Sequence, residues 1–566
     1  MKLRLPIILL TALSVVTAQA AEYYINQRGW NVAEGSHYAN TTQLPSTYVG
    51  DFNNNEPKAW VKDGLGEMIF KAGESGINNP SFAPSATTPM TTEDVIIVRE
   101  GTMTLDGTHI ANYTKLNSYV SNLLVGGNNA HLNLDNGASY TQKISYANNS
   151  ASAIAIGSGD GKGKVTLSNG SLLHTDHFVF AGYEKLTGGY VAQTLNVNNY
   201  PQDVYANGEH GRSEIYINSG STLSAGTSLQ FANVDVVVSG KDAAGNSSVL
   251  TDNTLGKSID SVRTADPASY LGYNGETKIT AENGGRLEFN WNLSTGFVRD
   301  AEGTSSTTIN VTGEGSSIAV AGEAAFGNGE SWWDGEAGLT EEQKTAYGYT
   351  TTAATATSTT DVSLKEGAVG EFNQVKVGQR VNATMTVDEA SRIIAHENAT
   401  EALLEICAKG TVDNEGEIAI ATKVSGGELT AYAGSTMAEV MAESGTLNIV
   451  GGDDSAVTMT GSLTLGDNIT VAFSENGFID LKGNALTIGE NTVITVQLTE
   501  GQNADELTLF KNAALGSVTE VSVQFVDENG AVTGTGTAGI ATIPEPATAT
   551  LSLLALAALA ARRRRR

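Results

Sequence analysis

The densest cluster of side chains able to do chemistry is His174-Thr175-Asp176-His177. An imidazole beside a carboxylate can relay a proton, and two histidines with an aspartate can hold a divalent metal. The spacing opposes the second use. Alternate residues of a strand point to opposite faces, so His174 and Asp176 share one face and His177 takes the other. The cluster reads as surface histidines, and no metal site is expected. Cys407, the single cysteine, lies between Ile406 and Ala408 and reads as a small buried hydrophobe rather than a nucleophile. One cysteine also excludes an intramolecular disulfide and a cysteine-cluster zinc site. No Gly-x-Ser-x-Gly elbow or Walker A loop occurs, and His396-Glu397 lacks the second histidine of a zincin motif. Gly534-Thr535-Gly536-Thr537-Ala538-Gly539 matches a dinucleotide fingerprint only as a pattern. It opens no helix, because Pro544 and Pro546 follow, and it reads as a flexible linker. No catalytic residue and no cofactor are expected.

Two further segments carry chemistry of recognition. Trp332 and Trp333 are adjacent on a loop-like stretch, Ser331 to Gly335. Exposed aromatics of this kind stack on sugar rings, and equally they pin a loop to the wall beneath it. They are the candidate glycan contact. Thr340-Glu341-Glu342-Gln343 is a capping box and predicts a short helix towards Tyr347. Met437–Ala442 is a second possible helical turn.

The elements that must carry these segments follow from composition and repeats. The chain has 566 residues, 63 of them Gly and only 10 Pro; 17% are charged and 40% hydrophobic. Charged residues fall below the roughly 25% of ordinary soluble domains, which disfavours long charged helices. A net charge of −29 repels phosphate and argues against nucleic acid as a partner. A template recurs along the body: apolar-x-apolar-x-x-Gly-(Ser/Ala/Gly)-x-apolar. Leu132, Leu134, Gly137 and Tyr140 fit it; so do Val165, Leu167, Gly170 and Leu173, then Ile215, Ile217, Gly220 and Leu223. Ile279, Ala281, Gly284 and Leu287 follow, and Leu429, Ala431, Gly434 and Met437 fit again.

The two leading apolar residues face one side of a strand, the Gly permits a sharp corner, and the last apolar residue starts a second strand facing the same interior. Val362 and Met385, in equivalent positions, lie 23 residues apart. Coils of about 20–25 residues suit a solenoid, and Ile215 to Ile279 would then span three. The fold expected is all-β, a parallel β-helix, with an irregular N-terminal cap and a C-terminal sorting helix. A row of β-sandwiches is the alternative, because Asn136-Gly137, Asn169-Gly170, Asn476-Gly477 and Asn529-Gly530 are also hairpin signals.

The ends differ from the body. Lys2 and Arg4, the apolar run Leu5–Val16 and Ala18-Gln19-Ala20 read as a secretory signal peptide, with Ala18 and Ala20 as the expected signal-peptidase site. At the other end come Pro544-Glu545-Pro546, the uncharged run Ala547–Ala561 and Arg562–Arg566. Fifteen helical residues reach about 22 Å, short of the roughly 30 Å hydrocarbon core, and the arginines resist export. These three parts in order resemble the PEP-CTERM sorting signal. The resemblance implies that an exosortase, a membrane transpeptidase, recognises Pro544, Glu545 and Pro546, removes the tail and passes the protein to the cell surface. The body resembles the β-strand repeats of autotransporter passengers, without that family's membrane barrel.

The expected organisation is therefore a signal peptide (1–20), a cap (21–94), a solenoid (95–529), a flexible linker (530–543) and the sorting signal (544–566). The expected function is that of an exported, non-enzymatic structural or adhesive protein at the cell surface or in the extracellular matrix. It would contact extracellular polysaccharide and be held transiently in the inner membrane by its C-terminal helix. The alternative is a β-helix carbohydrate-active enzyme, a polysaccharide lyase or glycoside hydrolase, working through converging carboxylates.

Overall fold

The computed structural model describes residues 27–31, 37–39, 59–71, 90–92, 95–114, 120–144, 152–158, 162–183, 212–252, 268–272, 275–296, 304–328, 357–452, 455–474, 476–498, 507–514 and 519–542. These form strands, several of which follow one another through short corners. The chain divides into two units, Met1–Ala324 with Asn328–Thr360, and Ala325–Gly327 with Asp361–Arg566.

Unit one is a parallel β-solenoid with three strands per turn. Gly163–Leu167, Leu172–Thr175 and Phe178–Tyr183 make one turn; Ser213–Asn218, Thr222–Ala225 and Ser228–Phe231 make the next. Each strand pairs in parallel with its equivalent one turn on, with Val165 opposite Ile215, Leu173 opposite Leu223 and Val179 opposite Leu229. The template residues therefore stack into columns. Leu132, Val165, Ile215, Val236, Ile279 and Ile309 form one inward column. Tyr140, Leu173, Leu223, Leu250, Leu287 and Ile318 form another. All are buried. The Tyr140 hydroxyl, trapped in this core, accepts a hydrogen bond from Asn112 Nδ2 at 3.0 Å. Burial holds it well above the usual phenol range.

The corners explain the Asn-Gly pairs. Asn136 and Gly137 have φ of 55° and 73°, and Asn169 and Gly170 have 54° and 75°. Two successive left-handed residues turn the chain sharply, a conformation that Gly and Asn tolerate best. Here the strands on either side of the turn pair with neighbouring turns rather than with each other as the arms of a hairpin. Asn169 Nδ2 donates to Asp135 Oδ1 at 2.7 Å, and Asn136 Nδ2 to Asp106 Oδ1 at 2.6 Å, so each corner is tied to the turn before it.

Coil length is less regular than expected. Ile215 pairs with Val236 and Val236 with Ile279, so the stretch from Ile215 to Ile279 holds two turns and not three. Insertions leave at corners, one of them closed by the Lys241–Ser247 bridge. Strands also run through part of the segment expected as a cap. Gln27–Asn31, Ala59–Asp63 and Val95–Asp106 pair in parallel, as do His37–Ala39 and Glu67–Lys71.

Unit two follows the same rule. Met385, Val412, Leu429, Leu447, Val471 and Ile494 stack in register and are buried. Phe326 meets Phe372 edge-on, with ring centroids 6.1 Å apart, and Phe473 meets Phe510 likewise at 5.6 Å. The stretch 437–442, expected as a helical turn, is strand: Thr436–Met437 ends there and Val440–Val450 begins. Met437, Val440 and Ala442 all point inward, which a helical turn would not allow.

Inward and outward positions alternate at single-residue resolution, which gives a direct test. Ile217→Asp buries a charge with no partner and should destabilise the protein by about 3 kcal/mol or more. Its outward neighbour Asn218→Asp should stay within about 0.5 kcal/mol. Urea unfolding of the two variants checks the register, and equal losses would refute it.

Candidate functional site

In unit one, His174 sits on Leu172–Thr175, opposite Thr141 in one neighbouring turn and Ser224 in the other. Its Nδ1 lies 2.7 Å from Ser224 Oγ and its Nε2 3.2 Å from Asp176 Oδ1. The structure thus brings His174 and Asp176 together, as the spacing predicts, and leaves His177 beside the Phe178 ring at 5.8 Å. The result is a Ser–His–Asp relay, but the pairing is not special to this place. His109 Nδ1 lies 2.8 Å from Ser139 Oγ, and His131 Nε2 lies 3.0 Å from Thr166 Oγ1. Each is an outward imidazole clipped to a hydroxyl one turn on. Ser224 is moreover only 4% exposed, a poor position for a nucleophile. Burial, aided by Lys164, pushes His131 down to about 4, so this rung is neutral at ordinary pH.

Asp252 gave no signal in the sequence. It follows Val249–Thr251 and is fully buried. Its Oδ1 accepts the Asn290 N–H at 2.7 Å, and its Oδ2 accepts the Ser269 hydroxyl at 2.5 Å. Ser269 Oγ in turn accepts the Leu229 N–H at 2.9 Å. One carboxyl group therefore clips together strands of three successive turns. Burial pushes it up to about 7, against the pull of these hydrogen bonds.

Cys407 departs from expectation. It is half-exposed, because Ile406 takes the inward position of Leu403–Cys407 and alternation turns the thiol outward. Among the described residues no group of three or more His, Cys, Asp or Glu side chains is placed to hold a metal ion.

The last described part of unit two is a hairpin. Glu520–Val526 runs parallel to Val493–Gln497, and Val532–Thr542 then returns antiparallel to it. Asp527 Oδ1 accepts the N–H groups of Asn529 and Ala531 at 2.9 and 2.8 Å, and Gly530 turns with φ of 79°. Here Asn529-Gly530 does make the hairpin that its type signals. The residues expected as a flexible linker, 530–543, are largely folded. Gly536 serves packing: a Cβ there would come within 2.9 Å of the Phe525 ring, which lies across the strand. The end of this strand is held on both sides, because Gly539, Ile540 and Thr542 also pair in parallel with Thr508, Phe510 and Ala513. The fold thus carries the chain as a paired strand to Thr542, two residues before Pro544.

The family model of the PEP-CTERM protein-sorting motif matches residues 542–566. The C-terminus is a PEP-CTERM sorting motif. It implies an exported protein that an exosortase sorts, anchored at the membrane before cleavage. No curated protein and no solved structure gives a significant match to the chain. Pro544, Glu545 and Pro546 of the motif, Ala18 and Ala20, expected as a signal-peptidase site, Trp332 and Trp333, expected as a glycan contact, and the helix expected from Thr340 lie outside the described residues. Among the described residues no helix is long and apolar enough to cross a membrane.

The buried carboxyl of the exported body gives a pH test. Asp252 binds its proton more tightly folded than unfolded. Its contribution is therefore fully present below the ordinary carboxylate range and is lost as pH rises through about 7. Asp252→Asn keeps the acceptor for Asn290 N–H and offers an N–H to Ser269. It should remove a stability slope of up to about 1.4 kcal/mol per pH unit between those limits. Urea midpoints of both proteins across that range measure it, and parallel curves would exclude the assignment.

Proposed function

We propose that this protein is a structural or adhesive component of the cell surface or extracellular matrix, without enzymatic activity, that contacts extracellular polysaccharide. The observation that carries the reading is the sorting motif placed directly after a β-solenoid. A solenoid presents long rows of outward side chains, and the motif delivers them outside the inner membrane. The rows of unit two support polysaccharide as the partner. Thr384, Thr411, Glu428, Thr446 and Thr470 form one outward column, and Thr386, Asp413, Thr430 and Asn448 the next. Hydroxyls, amides and carboxylates are the groups that hydrogen-bond sugar hydroxyls. Asn448 Nδ2 already bridges two rungs, donating to Glu428 Oε1 at 2.6 Å and to Thr430 Oγ1 at 3.3 Å. Trp332 and Trp333 are, by residue type, side chains suited to stacking on sugar rings.

Two measurements test it. Replacing Pro544-Glu545-Pro546 by three alanines should leave the body folded, the tail attached and the protein in the inner membrane; mass spectrometry of surface protein reads this. Arg562–Arg566 peptides persisting on wild-type surface protein would make the tail an anchor. The purified mature body should bind polysaccharide on a glycan array and release no reducing ends. Release abolished by one carboxylate substitution would make it an enzyme.

A further inference from the structure

We propose that the last strand, Val532–Thr542, is a detachable strap that must leave the sheet before the sorting tail can be cut. The inference rests on the tail being an exosortase substrate. Only Ile543 separates Thr542 from Pro544, and Thr542 is itself paired with Ala513. An enzyme that cuts a chain grips it in extended form on both sides of the bond, using backbone N–H and C=O groups and side-chain pockets. On the upstream side those groups are taken. Val532–Gly539 is paired along Glu520–Val526, and its last residues are clamped by Thr508–Ala513 as well. Four residues, 543–546, then span at most about 14 Å to the apolar run, so the folded end is also drawn against the membrane surface.

Beyond its backbone pairing, the strand is held by little buried apolar surface. Of its eleven residues only Ala538 and Ile540 are buried. Gly534, Gly536 and Gly539 regain the most backbone freedom on release. No later strand among the described residues stacks upon it, so it leaves without opening the solenoid. Strands with few buried side chains occupy the low end of local stability in a fold. The hairpin therefore closes the unit until processing, and its release offers the enzyme an extended, uncharged substrate from Val532 to Ile543.

A disulfide across the hairpin tests this. Ser522 and Thr537 are opposite one another and both exposed. In a Cys407→Ser background, Ser522→Cys with Thr537→Cys should lock the strand in the oxidising exterior. In cells carrying an exosortase, pulse-chase of tail removal should be at least tenfold slower for the double variant than for either single variant. Mild reductant should restore the rate, which separates a lock from misfolding. Oxidised double variant processed as fast as the singles would overturn the proposal. A wild-type protein that keeps its tail would instead sink the sorting reading, and this inference with it.

Discussion

Everything in this molecule depends on keeping successive turns in register. Neighbouring turns pair in parallel, so each residue meets its equivalent one turn away. Val165 over Ile215 over Val236 is a stack of like upon like. A slip of one residue would send every inward side chain to the outside. Each buried Val, Leu or Ile contributes about 1.5–3 kcal/mol, so a slipped turn forfeits the whole column. A single turn cannot bury its own apolar face, and the stability of any turn belongs partly to its neighbours. The left-handed corners and the Asp252 clip serve this end. They fix where one strand stops and the next begins, and they bind to residues one turn away.

Such a stack has a weak point wherever it ends, because the last turn offers unpaired backbone groups to any passing strand. Unit two meets this by reversing direction. The antiparallel return of Val532–Thr542 breaks the parallel repeat, and its Gly-Thr sequence offers little to bury. The same strand leads into the sorting motif. One segment therefore carries both the end of the fold and the approach to the processing site.

Much of the fold was legible in the sequence because the interior needs apolar residues two apart, then a Gly corner. That pattern survives insertions and picks out Val165, Ile217 and Leu287 without any structure. The sorting motif was legible for a different reason, being a linear signal read by an enzyme. What stayed hidden depends on partners from other turns. Asp252 looks ordinary until Ser269 and Asn290 come beside it. Coil counting failed between Ile215 and Ile279 because insertions lengthen corners without touching the columns. Gly534 to Gly539 looked like a linker because nothing local shows that Phe525 will lie across it. Cys407 was misplaced by its neighbours' apolarity, where alternation alone decides.

The low charged fraction also follows from register. In a parallel stack the outward neighbour of a residue is its own equivalent, so a conserved charge would face like charge turn after turn, which destabilises a sheet. Neutral hydroxyls and amides avoid this, which accounts for rungs such as Thr384, Thr411, Thr446 and Thr470. Where acids do meet, amides or cations flank them: Asp106 lies opposite Asp135, and the Asn136 and Asn169 amides donate to them. Glu214 lies beside Asp235, but the column continues into Lys164 on one side and Lys278 on the other. Arg212 closes on Asp235 at 2.6 Å and Lys164 on Glu214 at 3.3 Å. Such half-exposed pairs add little stability of their own. They let the stack tolerate a strongly acidic surface. Between them the outward columns keep mostly hydroxyl groups, with a single acid in a row such as Thr384, Thr411, Glu428, Thr446 and Thr470, so no acid there faces another across neighbouring turns.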